Sequence, residues 1–184
     1  IQGQTAVCLG GTGQYSIPPV ANTTLTWSVT PSAGVVINAS GNSADILFLN
    51  LGTYTVDVVP SNECGVGAST QTVVNVTAPP VVSVPVQQIV CANNPNISAS
   101  ATPAGGTWTC VSCPSGAAIT GAGLVSGLSI PGERYVFRYT FTDAVCPSQF
   151  AETAVLYGIA QGGTVGASAT VCAGSNGLLQ LTGQ

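Results

Sequence analysis

A repeat built from cysteine and tryptophan limits what this chain can be. Val7-Cys8, Val90-Cys91 and Val171-Cys172 recur at nearly equal intervals. Inside the first interval stand Trp27 and then Cys64; inside the second stand Trp108 and then Cys146, so the span between paired cysteines matches to within one position. A period this long is a small domain rather than a solenoid turn, so the chain reads as an array of modules. The landmarks place module one at 1–78, module two at 79–160 and the start of a third module at 161–184. That last piece is too short to build a core, and with no Met in the chain the segment is expected to be a fragment of something longer.

Composition narrows the function. Only eight residues are charged, Arg134, Arg138, Asp45, Asp57, Glu63, Glu133, Asp143 and Glu152, for a net charge of −4 with no Lys and no His. A nucleic-acid footprint needs a basic stripe to displace counterions, so that class is excluded. Ser-His-Asp and Cys-His catalysis cannot be assembled without His, and no Asp cluster offers calcium its six to eight oxygens. No cofactor and no catalytic residue is expected. No stretch of 18 apolar residues exists to span a membrane as a helix. The surface must be coated by hydroxyl and amide groups, as in exported surface proteins.

The matched cysteine spans read as one disulfide per module, Cys8–Cys64 and Cys91–Cys146, and Cys172 is left to pair within the rest of module three. Closing a loop of that size contributes ~4 kcal/mol in the chain-entropy argument, a large share of the stability of an ~80-residue domain. Such usage points to an oxidising, extracellular setting. Cys110-Val-Ser-Cys113 resembles a redox dithiol, but that chemistry wants a helix N-terminus. Here the pair follows a predicted strand and precedes Pro114, so it reads as a local staple. Three disulfides and one thiol are the expected total.

Helix signals are nearly absent, whereas short apolar-alternating runs separated by Gly, Pro, Asn and Ser clusters are dense. Strands are expected at 14–17, 25–29, 35–38, 44–49, 53–59 and 70–76 in module one, and at 97–101, 106–110, 117–120, 124–129, 135–142 and 153–157 in module two. Tyr54, Val56 and Val58 share one strand face, as do Tyr135, Phe137, Tyr139 and Phe141, and each set is expected to face a core. The fold class is therefore all-β, tandem antiparallel sandwiches lying end to end, joined by the semi-rigid Pro79-Pro80 segment. Trp27, Trp108, Tyr54 and Tyr135 are the expected structural core residues, and Tyr15 is the better candidate for an exposed contact.

Val7-Cys-x-Gly-x-x-Gly13, Thr107-Trp108 with its counterpart near Trp27, Gly52-Thr-Tyr-Thr-Val56 and Ser61-Asn-Glu-Cys-Gly65 resemble the PKD-like repeats of Bacteroidota surface proteins. Those include the giant gliding-motility adhesins exported by type 9 secretion. Module two departs from the pattern at Asn93 and Asn96, where the other modules carry Gly. The resemblance implies an Ig-like sandwich and a spacer or adhesive role, and it supplies neither ligand nor catalytic residue.

The resulting expectation is a non-enzymatic structural or adhesive repeat of a large extracellular, cell-surface protein or filament, acting as a disulfide-stapled extension arm. Its partners would be neighbouring modules of the same chain, surface glycans or other cell-surface proteins. The alternative is a carbohydrate-binding module array of a secreted hydrolase, with Trp27 and Trp108 as sugar platforms. The two readings divide on whether those indoles are buried.

Overall fold

A computed structural model describes residues 1–91 and 97–158, together with the backbone of residues 164–165 and 181–182. Among these residues the only helical element is a single 3-10 turn, Pro114–Gly116. The chain divides into two compact units. The first comprises Ile1–Ser83, Thr102–Gly106 and Thr140–Phe150; the second comprises Val84–Ala101, Thr107–Tyr139 and Ala151–Gln184.

The first unit contains β1 (Gln2–Gly3), β2 (Ala6–Cys8), β3 (Thr12–Ser16), β4 (Thr24–Thr30), β5 (Val35–Ser40), β6 (Ser43–Phe48), β7 (Gly52–Asn62), β8 (Gly65–Val66) and β9 (Thr70–Thr77). One sheet has the order β1-β3-β6-β5 and the other β2-β9-β7-β4, with β8 folded back on β7. All pairings are antiparallel except β2 with β9, where Cys8 lies opposite Thr77. The chain thus enters along the edge of one sheet as β1 and crosses at residues 4–5 to the edge of the other as β2. This is the strand arrangement of an Ig-like sandwich.

Period-two alternation builds the core. Trp27 and Val29 of β4, Ala44, Ile46 and Phe48 of β6, Tyr54, Val56 and Val58 of β7, and Val74 and Val76 of β9 all point inward and are buried. Thr26, Ser28, Thr53, Val73 and Asn75 face outward and are exposed. Phe48 and Tyr54 meet with ring centroids 5.1 Å apart at a 55° tilt, within the range such pairs prefer. The Tyr54 hydroxyl donates to the Asn50 carbonyl at 3.1 Å, tying the start of β7 back to the corner that precedes it.

Tyr15 corrects the sequence expectation. It lies on the inward side of β3 with 2% of its surface exposed, so it is a core residue and not a contact surface. The glycines that flank it on the sheet make its room: a Cβ at Gly3 or Gly13 would come within 2.5 Å of a Tyr15 atom. An isolated aromatic in a Gly- and Gln-rich run offers no alternation to read.

The second unit repeats the plan with β10 (Gln87–Cys91), β11 (Ile97–Ser98), β12 (Thr107–Ser112), β13 (Ala118–Ile119), β14 (Leu124–Ser126), β15 (Arg134–Phe141) and β16 (Gln149–Gly158). Its sheets run β10-β16-β15-β12 and β11-β14-β13, and β10 pairs parallel with β16 as β2 does with β9. The far ends of β15 and β16, residues 140–150, count with the first unit. Tyr135, Phe137 and Tyr139 are buried, as are Trp108, Val125 and Val155. Trp108 and Tyr139 lie 5.2 Å apart between centroids. Gly123 has φ +93°, and a Cβ there would lie 2.5 Å from the Ala99 carbonyl and 3.0 Å from the Trp108 indole nitrogen. Only glycine leaves that Trp its place. Further along the chain β17 (Thr164–Val165) pairs antiparallel with β18 (Leu181–Thr182), and Cys172 lies outside the described residues.

The tyrosine corner recurs with its polarity reversed. The Tyr135 hydroxyl accepts from the amides of Ser129 at 3.3 Å and Ile130 at 3.1 Å, where Tyr54 donates to a carbonyl. Tyr135→Phe therefore strands two backbone donors and is expected to lower stability by about 1–3 kcal/mol, against about 1 kcal/mol for Tyr54→Phe. Urea denaturation of the two variants measures the difference, and equal losses would refute it.

Candidate functional site

The cysteines lie at the ends of the sheets, and strand length decides which of them can meet. Cys8 ends β2 beside Thr77, the last residue of β9. At that level β7 is only beginning, with Gly52 opposite Val76. Cys64 follows β7's other end, in the turn between Asn62 and Gly65. At ~3.3 Å per residue the ten steps of β7 from Gly52 to Asn62 span roughly 33 Å, whereas a disulfide needs Cα atoms within about 7 Å. The Cys8–Cys64 pairing is therefore not formed.

The second repeat obeys the same geometry. Cys91 lies opposite Gly158, the last residue of β16, while Cys146 precedes the first residue of that strand, Gln149. Nine steps of strand, roughly 30 Å, separate the two ends, so Cys91–Cys146 is not formed either. Instead Cys8 is bonded to Cys146 across 138 residues of sequence, with Cα atoms 4.9 Å apart. Both partners lie in the first compact unit. Cys64 and Cys91 are free and exposed. Cys110 and Cys113 are bonded to each other at the end of β12.

Polar side chains position the cysteine loops. The Asp143 carboxylate accepts from the amides of Val145 and Cys146, both at 2.8 Å. Those backbone bonds, from Cys146 first and Val145 second, hold its pKa below the ordinary carboxylate value. The Asn62 side chain likewise accepts from the amide of Cys64 at 2.9 Å. A carboxamide or carboxylate thus braces the backbone at both loop cysteines. In the second unit Arg138 and Glu152 pair at 2.6 Å across β15 and β16 on an open face, a contact of about 1 kcal/mol at most.

A cleft of about 330 Å³ opens beside Cys64, between the loop before β4, with Val20 and Thr23, and the β7–β8 ribbon, with Pro60, Asn62 and Val66. Its walls are mostly apolar: Val20 and Val66 are 52% and 76% exposed. The two loops that form it occupy an end of the sandwich, where Ig-like domains carry recognition loops. A second depression, about 460 Å³, has Gln2, Gln14, Ser43 and Asp45 at its rim and Tyr15 at its floor. Asp45 is the single carboxylate of that lining. No group of three or more His, Cys, Asp or Glu among the described residues is arranged to hold a metal.

The remaining sequence candidates are structural in position. Trp27 and Trp108 are 8% and 5% exposed, so neither presents an open face on which a sugar ring could stack. Tyr54 and Tyr135 are buried corner residues. Sequence reasoning misses the loop cleft and the parallel strands β2 and β10. The Val-Cys dipeptides mark those two strands, but three to five residues are too few for periodicity to register.

Residues 1–76 match the family described as PKD-like domain. Among solved structures the chain is similar to DIP-gamma IG1+IG2 at 12% identity and TM-score 0.39, covering 84% of this chain and 93% of that one. It is also similar to the Protocadherin GammaB4 extracellular domain at 13% identity and TM-score 0.38, covering 84% of this chain. A third similarity is to Protocadherin gammaB7 EC3-6, at 14% identity and TM-score 0.35, covering 72% of this chain. The chain spans 32% and 41% of the GammaB4 and gammaB7 structures respectively. No curated protein matches it.

Alkylation of the native protein should label Cys64 and Cys91 and spare Cys8, Cys146, Cys110 and Cys113. A non-reducing peptide map should contain a Cys8–Cys146 peptide; a Cys8–Cys64 peptide in its place would refute the end-to-end separation argued above. Burial pushes the Tyr15 pKa up to about 12, and its hydroxyl has no hydrogen-bond partner among the described residues. A raised folded pKa means stability that is complete below about 10, the unfolded value, and is lost as pH rises towards 12. Ultraviolet titration should show a late phenol that Tyr15→Phe removes with little loss of stability, whereas Tyr15→Ala costs about 3–5 kcal/mol.

Proposed function

We propose that this chain is a non-enzymatic structural and adhesive repeat segment of a large extracellular bacterial surface protein, working as a disulfide-stapled extension arm. The observation that carries the reading is the Cys8–Cys146 bond. A force applied to the ends of this chain runs along residues 1–8, through the bond, and on from residue 146. The chain between the two cysteines is relieved of that load. A cystine that closes 138 residues also contributes ~5 kcal/mol against unfolding in the chain-entropy argument. Both properties suit a spacer and are of little use to a soluble enzyme.

The PKD-like match of the first repeat and the cysteine usage support an extracellular, cell-surface location, and the sequence resemblance makes a gliding-motility adhesin exported by type 9 secretion the setting that fits best. Partners would be neighbouring modules and, at the loop cleft, surface glycans or cell-surface proteins. Burial of both tryptophans disfavours a carbohydrate-binding array that depends on them.

Pulling single molecules by their termini tests the arm. The oxidised chain should lengthen only by what residues outside 8–146 release. Reduction should free the 138-residue loop, adding roughly 480 Å of contour at ~3.5 Å per residue. Equal extension in the two states would defeat the reading.

A further inference from the structure

The two repeats align by one constant step along the chain. The step that carries Trp27 to Trp108 and Tyr54 to Tyr135 carries the cleft walls of the first repeat, residues 20–23 and 60–67, to residues 101–104 and 141–148. In the second repeat those two loops are occupied. Segments Thr102–Gly106 and Thr140–Phe150 count with the first unit. Two ties hold them to the end of the first repeat that carries Cys8 and Thr77. Cys146 is bonded to Cys8, and Ser83 and Thr102 exchange backbone hydrogen bonds at 2.8 and 2.9 Å.

The matching loop end of the first repeat is already built the same way. The step carries Asn62 to Asp143, and each side chain accepts from the amide of the cysteine that follows it, Asn62 from Cys64 at 2.9 Å and Asp143 from Cys146 at 2.8 Å. Here, though, the cleft is open, with exposed Val20 on one wall and exposed Val66 on the other. Scattered surface apolar residues need no explanation, but a pair lining one cavity, at a loop end whose counterpart is occupied, marks a docking surface. The end that occupies the counterpart is chemically matched to the cleft. Residues 7–13 and 77–83 hold no charged side chain, and Leu9 and Val81 are exposed there. No residue lining the cleft is charged either, so the contact strips water from no ionised group of these segments.

We propose that the loop end of the first repeat, residues 20–23 and 60–67, is the docking face for the Val-Cys end of another PKD-like repeat standing before it in the same polypeptide. The inference rests on the repeat-arm reading and narrows the partner at the cleft to a repeat of the same kind. Docking brings that repeat's Val-Cys cysteine to Cys64, as Cys8 is brought to Cys146. Two thiol–disulfide exchanges with a low-molecular-weight disulfide then join them. One protein thiolate attacks the small disulfide and expels a small thiolate; the other attacks the mixed disulfide and expels the second. Two protein thiols are oxidised, and one small disulfide is reduced to two thiols that take up the two protons.

The test places a second copy of residues 1–81 directly before Ile1 of the whole chain, in a Cys172→Ser background. The added copy carries Cys64→Ser, which removes its own rival thiol, and Leu9→Val, which marks its Cys8 peptide by mass. After oxidation with glutathione disulfide, the peptide map should contain the marked Cys8 joined to Cys64, together with the unmarked Cys8–Cys146 peptide. Alkylation, which labels Cys64 in the unextended chain, should no longer do so. Val66→Glu in the first repeat of the original chain should cut the new crosslink about tenfold, the factor that ~1.4 kcal/mol of docking energy produces, and leave Cys8–Cys146 at full yield. An unchanged yield with Val66→Glu would reduce the crosslink to a chance tethered collision and overturn the docking face. Cys64 still open to alkylation beside an intact Cys8–Cys146 would overturn it too, and leave the arm reading standing. An unmarked Cys8–Cys64 peptide would overturn both.

Discussion

An extended strand holds its two ends apart, and the organisation of this protein follows from that separation. From Gly52 to Asn62, β7 spans roughly 33 Å, several times the reach of a disulfide. A cysteine before β7 and one after it therefore occupy opposite poles of the sandwich. Each pole can be bonded only to something else that arrives there. Cys146 arrives at Cys8, carried by the connection between β15 and β16. The same separation leaves Cys64 and Cys91 open and makes the long loop, rather than two short ones, the unit the cystine protects.

Around that constraint the two repeats solve one packing problem with different residues. Both place a Trp on the strand that flanks the central Tyr strand, and both anchor that Tyr by its hydroxyl to the preceding corner. The first repeat fills its remaining core with Tyr15 lying on two glycines, and tolerates a buried hydroxyl without a partner. The second buries Tyr135, Phe137 and Tyr139 along one strand face and uses Gly123 to admit Trp108. With so few charges, cohesion comes from apolar burial and backbone ladders. The Arg138–Glu152 pair lies on the open face, where solvent weakens it.

Much of this is legible in the residues. Nearly every long strand falls within a few positions of its expected place, because alternation over six or more positions records which face is buried. Trp27, Trp108, Tyr54 and Tyr135 declare themselves core positions by their equivalence between repeats. Illegible are the short strands β1, β2, β8 and β10, whose two to five residues carry no period, and Tyr15, whose burial depends on Gly3 arriving from another strand. The cleft beside Cys64 is hidden for the same reason: its walls come from residues 20–23 and 60–67, distant segments that no local pattern links.

The cysteine positions divide the two kinds of information most cleanly. Residue order alone establishes that the chain repeats, that each repeat is an all-β unit with an aromatic core, and that its cysteines are equivalent from one repeat to the next. Equivalence of place is easily mistaken for partnership, because a matched spacing says that two residues recur together and nothing about the distance between them. Which sulfurs meet is settled in three dimensions. Bonding is a matter of a few ångströms in space, and the strand that makes two cysteines neighbours in the repeat is the rigid rod that keeps them apart.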